Sequence, residues 1–146
     1  MRLKKLFVSI PMNGRSDEDI KLSTAKMKKI AEAFEGEELE LIDSYIEEDA
    51  PDNVHPGIWY LGESLKKLAD ADIFIGITDA SKHSVWKGCY IEAVTAKKYG
   101  IKTYSVDADI VINDYDKLLS KLFSQTDPVS IMPDRAFQGE VKTVLL

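Results

Sequence analysis

Residues 72–77 read Asp-Ile-Phe-Ile-Gly-Ile, apolar almost without interruption. A strand with one wet face alternates polar and apolar side chains. A continuous run of strand formers marks a strand buried on both faces, which is the habit of parallel sheets covered by helices. That one run predicts an α/β chain, and the segments around it fit. Leu6-Phe7-Val8-Ser9-Ile10 is a first strand, ended by Pro11 and Gly14. Residues 39–42 read as a second strand, 72–77 as the third and 101–106 as the fourth, with 129–132 as a short fifth.

Helical segments separate these runs. Ser16 caps the first helix and Asp17, Glu18 and Asp19 fill its opening turn, where the helix dipole favours negative charge. Ile20, Met27, Ile30, Ala31 and Phe34 then recur at helical spacing as far as Gly36. Further helices are expected over about 57–69, 88–99 and 115–123, with Gly100 as a C′ cap for the one at 88–99. On the helix at 88–99, Ile91, Val94 and Thr95 are the expected sheet-facing side chains. Strands alternating with helices in this way predict a single-domain, Rossmann- or flavodoxin-like three-layer sandwich, its four- or five-stranded sheet mostly parallel. The α/β domain spans residues 1–133, and 134–146 form a C-terminal tail with no clear assignment. The acidic segment 43–56, with two prolines, is long for a connection in a compact domain and reads as a lid or binding loop.

Composition narrows the partners. The chain has 146 residues and a net charge of −6 with acids and bases interleaved, so it lacks the basic stripe that a nucleic-acid polymer requires. No apolar run approaches the ~20 residues of a membrane span. The opening MRLKKLFVSIPM is broken by Pro11 and Asn13 and reads as a strand rather than a signal peptide. The single cysteine, Cys89, excludes an intrachain disulfide and fits a reducing compartment, so a cytoplasmic location is expected. His83 and His55 have no partners at metal-ligand spacing, and neither a metal nor a cofactor is expected.

In open parallel sheets, ligands sit beyond the carboxyl ends of the strands where the strand order reverses. That rule selects the loop after strand 1 and the loop after strand 3. The first reads SIPMNGRS: Asn13 and Gly14 permit tight backbone turns, Arg15 can fork onto a phosphate or carboxylate, and Ser9 and Ser16 offer hydroxyls. It reads as an anion cradle or as a plain strand-to-helix turn with a capping serine. The second loop, DASKHSVWKG, runs into CYIEA. Glu92 lies one turn into the helix, beside Cys89 and away from Tyr90. It is either a solvent-facing carboxylate near a helix start or a carboxylate facing the crevice as nucleophile or base. Trp86 is either a stacking wall or a plug over the core. Cys89 near a helix start is more often structural than nucleophilic. Trp59 and Tyr60 give the long loop an aromatic end.

Three stretches, LFVSIPMNGR, LADADIFIGITD and GCYIEAVTAKKYGIKTYSV, together resemble the nucleoside 2-deoxyribosyltransferase-like superfamily. That superfamily includes the 2′-deoxynucleoside 5′-phosphate N-hydrolases and related small phage and bacterial proteins. The resemblance covers strands 1 to 4. Its most specific part is a glycine four residues before the nucleophilic glutamate, a spacing kept by Gly88 and Glu92. The resemblance implies cleavage or transfer at an N-glycosidic bond of a deoxynucleoside or its 5′-monophosphate, with Glu92 as nucleophile. It implies substrate binding by Ser9, Met12, Asn13, Gly14 and Arg15 in the first loop and by Asp79, Trp86 and Gly88 around the second. Ser64 falls where the family carries an aspartate that handles the leaving base, with Glu63 beside it. It also implies a homo-oligomer in which the C-terminal tail completes a neighbour's pocket. Two further positions differ from the family: Phe7 stands in place of an orienting phenol, and Trp86 in place of an aspartate or serine. Those departures keep a second expectation open, a nucleotide-binding module of the same fold that does not turn over.

Overall fold

The computed structural model describes residues 2–11, 16–78 and 87–107, together with Lys117. The expected helix at 115–123 (apart from Lys117), the expected strand at 129–132 and the tail 134–146 lie outside the described residues. In chain order the elements are β1 (Lys5–Ser9), α1 (Asp17–Glu35), β2 (Glu40–Leu41), α2 (Pro56–Leu68), β3 (Ile73–Thr78), α3 (Lys87–Lys98) and β4 (Lys102–Asp107). The strands form one sheet in the order β2-β1-β3-β4, and every pairing is parallel. Sheet order reverses between β1 and β3, where Ser9 lies opposite Gly76.

Strand alternation sorts the core into two halves. Leu6, Val8 and Ile10 of β1 and its end, with Ile73, Ile75, Tyr104 and Val106, pack against Met27, Ile30, Ala31 and Phe34 of α1. The opposite parity, Phe7 and Phe74, packs with Leu68 of α2 and Ala96 of α3. The result is three layers, α1 on one face and α2 with α3 on the other. Phe7 and Phe74 stack at 5.8 Å between centroids, and Phe34 stacks on Tyr104 at 4.9 Å.

Helix boundaries follow their local chemistry. The Ser16 hydroxyl accepts the Asp19 N–H at 3.1 Å, which starts α1, and Gly36 ends it at φ +71°. His55 caps α2, its Nδ1 accepting the Ile58 N–H at 3.4 Å, with Pro56 in the first turn. After α3 the Gly100 N–H donates to the Lys97 carbonyl and the Ile101 N–H to the Ala96 carbonyl. With Gly100 at φ +79°, this is the paired closure that the expected C′ glycine makes.

Two expectations need correction. Strand β2 is only Glu40–Leu41, not 39–42, because its ladder with β1 pairs only Lys5 with Glu40 and Leu6 with Leu41. The flanking bonds from Glu40 N–H to the Lys4 carbonyl and from Ile42 N–H to the Leu6 carbonyl continue its line. The face of α3 is also rotated. Ile91 and Val94 are exposed, while Glu92 and Ala96 are buried and Ala93 packs beside them. Small side chains let the helix lie close to the sheet, so the inward stripe runs Cys89, Glu92, Ala93, Ala96 at helical spacing.

At the amino ends of the strands a polar cluster ties α1 to the sheet. The Tyr104 hydroxyl donates to Glu35, and Lys102 Nζ stands 2.7 Å from the same carboxylate. Among the described residues no helix is long and apolar enough to cross a membrane.

Candidate active site

Beyond the carboxyl end of β1 lies a cavity of about 380 Å³, within the few hundred Å³ usual for small-molecule sites. Its floor is the β1 end, Phe7 to Pro11. One wall is α2, through Gly57, Tyr60, Leu61 and Ser64, and another is the first turns of α3, through Lys87, Gly88, Cys89 and Glu92. Ser44 and Ile46 from the long acidic segment close a third side. The Tyr60 hydroxyl accepts the Ala50 N–H at 3.2 Å, which fastens that segment to α2.

Glu92 is the buried carboxylate of this cavity, 8% exposed. Three elements converge on it. Ser9, the last residue of β1, shares the parity of Phe7 and therefore points to the α2–α3 side. Its hydroxyl donates to Glu92 Oε1 at 2.7 Å. Ser64, near the middle of α2, donates to Glu92 Oε2. Burial pushes the Glu92 carboxyl above the usual carboxylate range, and the hydroxyl bonds from Ser64 and Ser9 pull against that rise. Cys89 lies one turn earlier, and its thiol is pushed up to about 11, chiefly by burial. A thiol so shifted is poorly ionised at neutral pH, which argues against Cys89 as a nucleophile.

Gly76 makes room for the Phe74 ring beside the strand end. It lies beside Ser9 in the sheet and on the same face as Phe74. A Cβ there would stand 2.8 Å from Phe74 Cε1 and 3.1 Å from Cζ. Only glycine lets that ring lie over the strand end.

Of the residues singled out from sequence, Ser9, Ser64, Gly88 and Glu92 come together around one cavity. Glu63 is not among its lining residues; it pairs with Lys66 at 3.1 Å on the outer side of α2. Helical geometry forces this, since adjacent residues point in different directions. Met12, Asn13, Gly14, Arg15, Asp79 and Trp86 lie outside the described residues, as does His83. His55 is occupied as a helix cap. Sequence reasoning missed Ser44, Ile46 and Leu61 as lining residues. For the first two, the unusual length of the segment was the available signal. Among the described residues no group of three or more His, Cys, Asp or Glu gathers as a metal site.

No protein-family model matches the chain, and no curated protein matches it. Among solved structures it is similar to a conserved protein from Enterococcus faecalis V583, at 14% identity and a TM-score of 0.50. The match covers 86% of this chain and 77% of that one. At that identity the likeness shows the α/β fold alone.

Proposed function

We propose that the protein cleaves, or transfers the sugar across, the N-glycosidic bond of a deoxynucleoside or deoxynucleoside 5′-monophosphate, with Glu92 as nucleophile. The observation that carries this reading is a buried carboxylate, hydrogen-bonded through both oxygens, in a small-molecule cavity at the switch point of the sheet. A Glu92 oxygen adds to C1′ of the sugar while the bond from C1′ to the base nitrogen breaks. The base leaves with the bonding pair and takes a proton from solvent. Water, or the nitrogen of a second base, then adds to C1′ and releases the carboxylate. The transition state carries positive charge on the sugar, which a nearby carboxylate stabilises. Assembly as a homo-oligomer belongs to the same reading. The exposed apolar side chains of Ile58 on α2 and Ile91 and Val94 on α3 count toward it.

The test is base release, followed by chromatography, from a panel of deoxynucleosides and their 5′-monophosphates, with Glu92→Gln as control. Release lost in the variant is the expected result, and equal release by both proteins overturns the reading. Release confined to monophosphates selects hydrolysis of nucleotides, and release that requires an acceptor base selects transfer.

Phe7 favours a second reading, a nucleotide-binding module without turnover. Its ring is buried against Phe74 and carries no hydroxyl to offer Glu92. This reading expects thermal stabilisation by a nucleotide, rising as RT ln(1 + [L]/Kd), with no base released.

A further inference from the structure

Two serines, from different layers of the fold, end on one buried carboxylate. Ser9 is 2% exposed at the end of β1, and its hydroxyl reaches Oε1 of Glu92. Ser64 comes from α2 and reaches Oε2. Each oxygen therefore has its own donor, and the two donors sit on elements fixed independently, one by the sheet and one by helix packing. A carboxylate held at one oxygen can still turn about its side-chain torsions; held at both, its plane is set. We propose that Ser9 and Ser64 are positioning residues for Glu92, holding one oxygen each so that the carboxylate faces the cavity in a single plane.

This rests on the reading of Glu92 as the reacting group, but the arrangement has a consequence that needs no substrate. Hydroxyl donors stabilise the ionised carboxylate over the acid, and burial opposes them. Among the described residues of the cavity lining, the other titratable groups are Cys89 on α3 itself, Lys87 at the start of α3 and Tyr60 on α2. The linings from β1 and from the acidic segment contribute no charge: Phe7, Val8, Ser9, Ile10 and Pro11 from the first, and Ser44 and Ile46 from the second. Among the described residues of the lining, the two hydroxyls are the groups that favour the ionised form of Glu92 against its burial.

The experiment is a pH titration of Glu92 by carboxyl carbon-13 NMR on the full chain, its signal assigned by subtraction with Glu92→Gln. It is run on wild type, Ser9→Ala, Ser64→Ala and Ser64→Thr. Each alanine variant is expected to titrate about one pH unit higher, a tenfold loss of ionised fraction below the midpoint, and Ser64→Thr to return toward wild type. Where base release is measurable, kcat is expected to fall about tenfold per lost serine with KM unchanged, the mark of positioning rather than substrate contact. The two alanine variants read different oxygens, so misfolding of either leaves the other as a test. An unshifted midpoint in both overturns the proposal whatever the base-release assay gives. Shifted midpoints in a protein that releases no base support the positioning pair and overturn the glycosidase reading.

Discussion

The hydroxyl of Ser9 and the carboxylate of Glu92 meet at 2.7 Å although 83 residues of chain separate them. The sheet makes that meeting: β1 and β3 lie side by side, and the helix that follows β3 packs over β3 and β4 near enough to β1 for Glu92 to reach Ser9. Glu92 thereby sits under the cavity with its carboxyl group largely removed from water, and the consequences are measurable.

Replacing Glu92 by Gln should stabilise the protein at neutral pH. The folded-state pKa of Glu92 is raised by burial, so its ionised form costs stability wherever the carboxylate is charged. That cost is present above the folded pKa. It fades as pH falls through that value and is gone below the unfolded value near ~4.3. The expected gain in Glu92→Gln is on the order of 1 kcal/mol, a few degrees in Tm, at neutral pH. It should shrink toward zero in acid. Thermal melts of both proteins across pH check this, and a gain that grows in acid would reverse the assignment.

Gly76→Ala should cost about 1–3 kcal/mol, the range for overpacking a core. The added methyl would stand 2.8 Å from Phe74, whose ring is fully buried and stacked on Phe7. The ring has nowhere to go without disturbing the cavity floor. Denaturant unfolding at constant slope is the measurement, and a change under half a kcal/mol would show that the ring adapts freely.

Cys89 should alkylate slowly in the native protein. Its thiol, pushed from an ordinary 9.0 to about 11, holds about a hundredfold less thiolate at neutral pH than an unperturbed one. Iodoacetamide labelling followed by mass spectrometry, native against urea-unfolded, should show at least that ratio. Equal rates in the two states would mean that the thiol is neither buried nor shifted.

Much of the architecture was legible in the residues because local chemistry specified it. The two-faced apolar run at 72–77 required a parallel sheet. The Ser16 cap with its acidic first turn and the glycines at 36 and 100 marked helix ends to within a residue or two. The rule about strand ends led to the carboxyl end of β1, where Ser9, Ile10 and Pro11 line the cavity. The phase of α3 was not legible. Two stripes share that helix, Cys89-Glu92-Ala93-Ala96 and Ile91-Val94-Thr95, and apolarity favours the second. The structure buries the first.

The sequence by itself determined the alternation of strands and helices, the parallel sense of the sheet and the end of the sheet at which the cavity opens. These follow from hydrophobic patterning and caps, which act between residues near in sequence. Only the tertiary structure decided that Glu92 turns inward and that Ser9 and Ser64 meet it, while Glu63 turns away to Lys66. A buried carboxylate is tolerated where hydrogen-bond donors or charges satisfy it, and here the donors are two hydroxyls. Those donors come from a strand and a helix far apart along the chain, brought together when the layers pack.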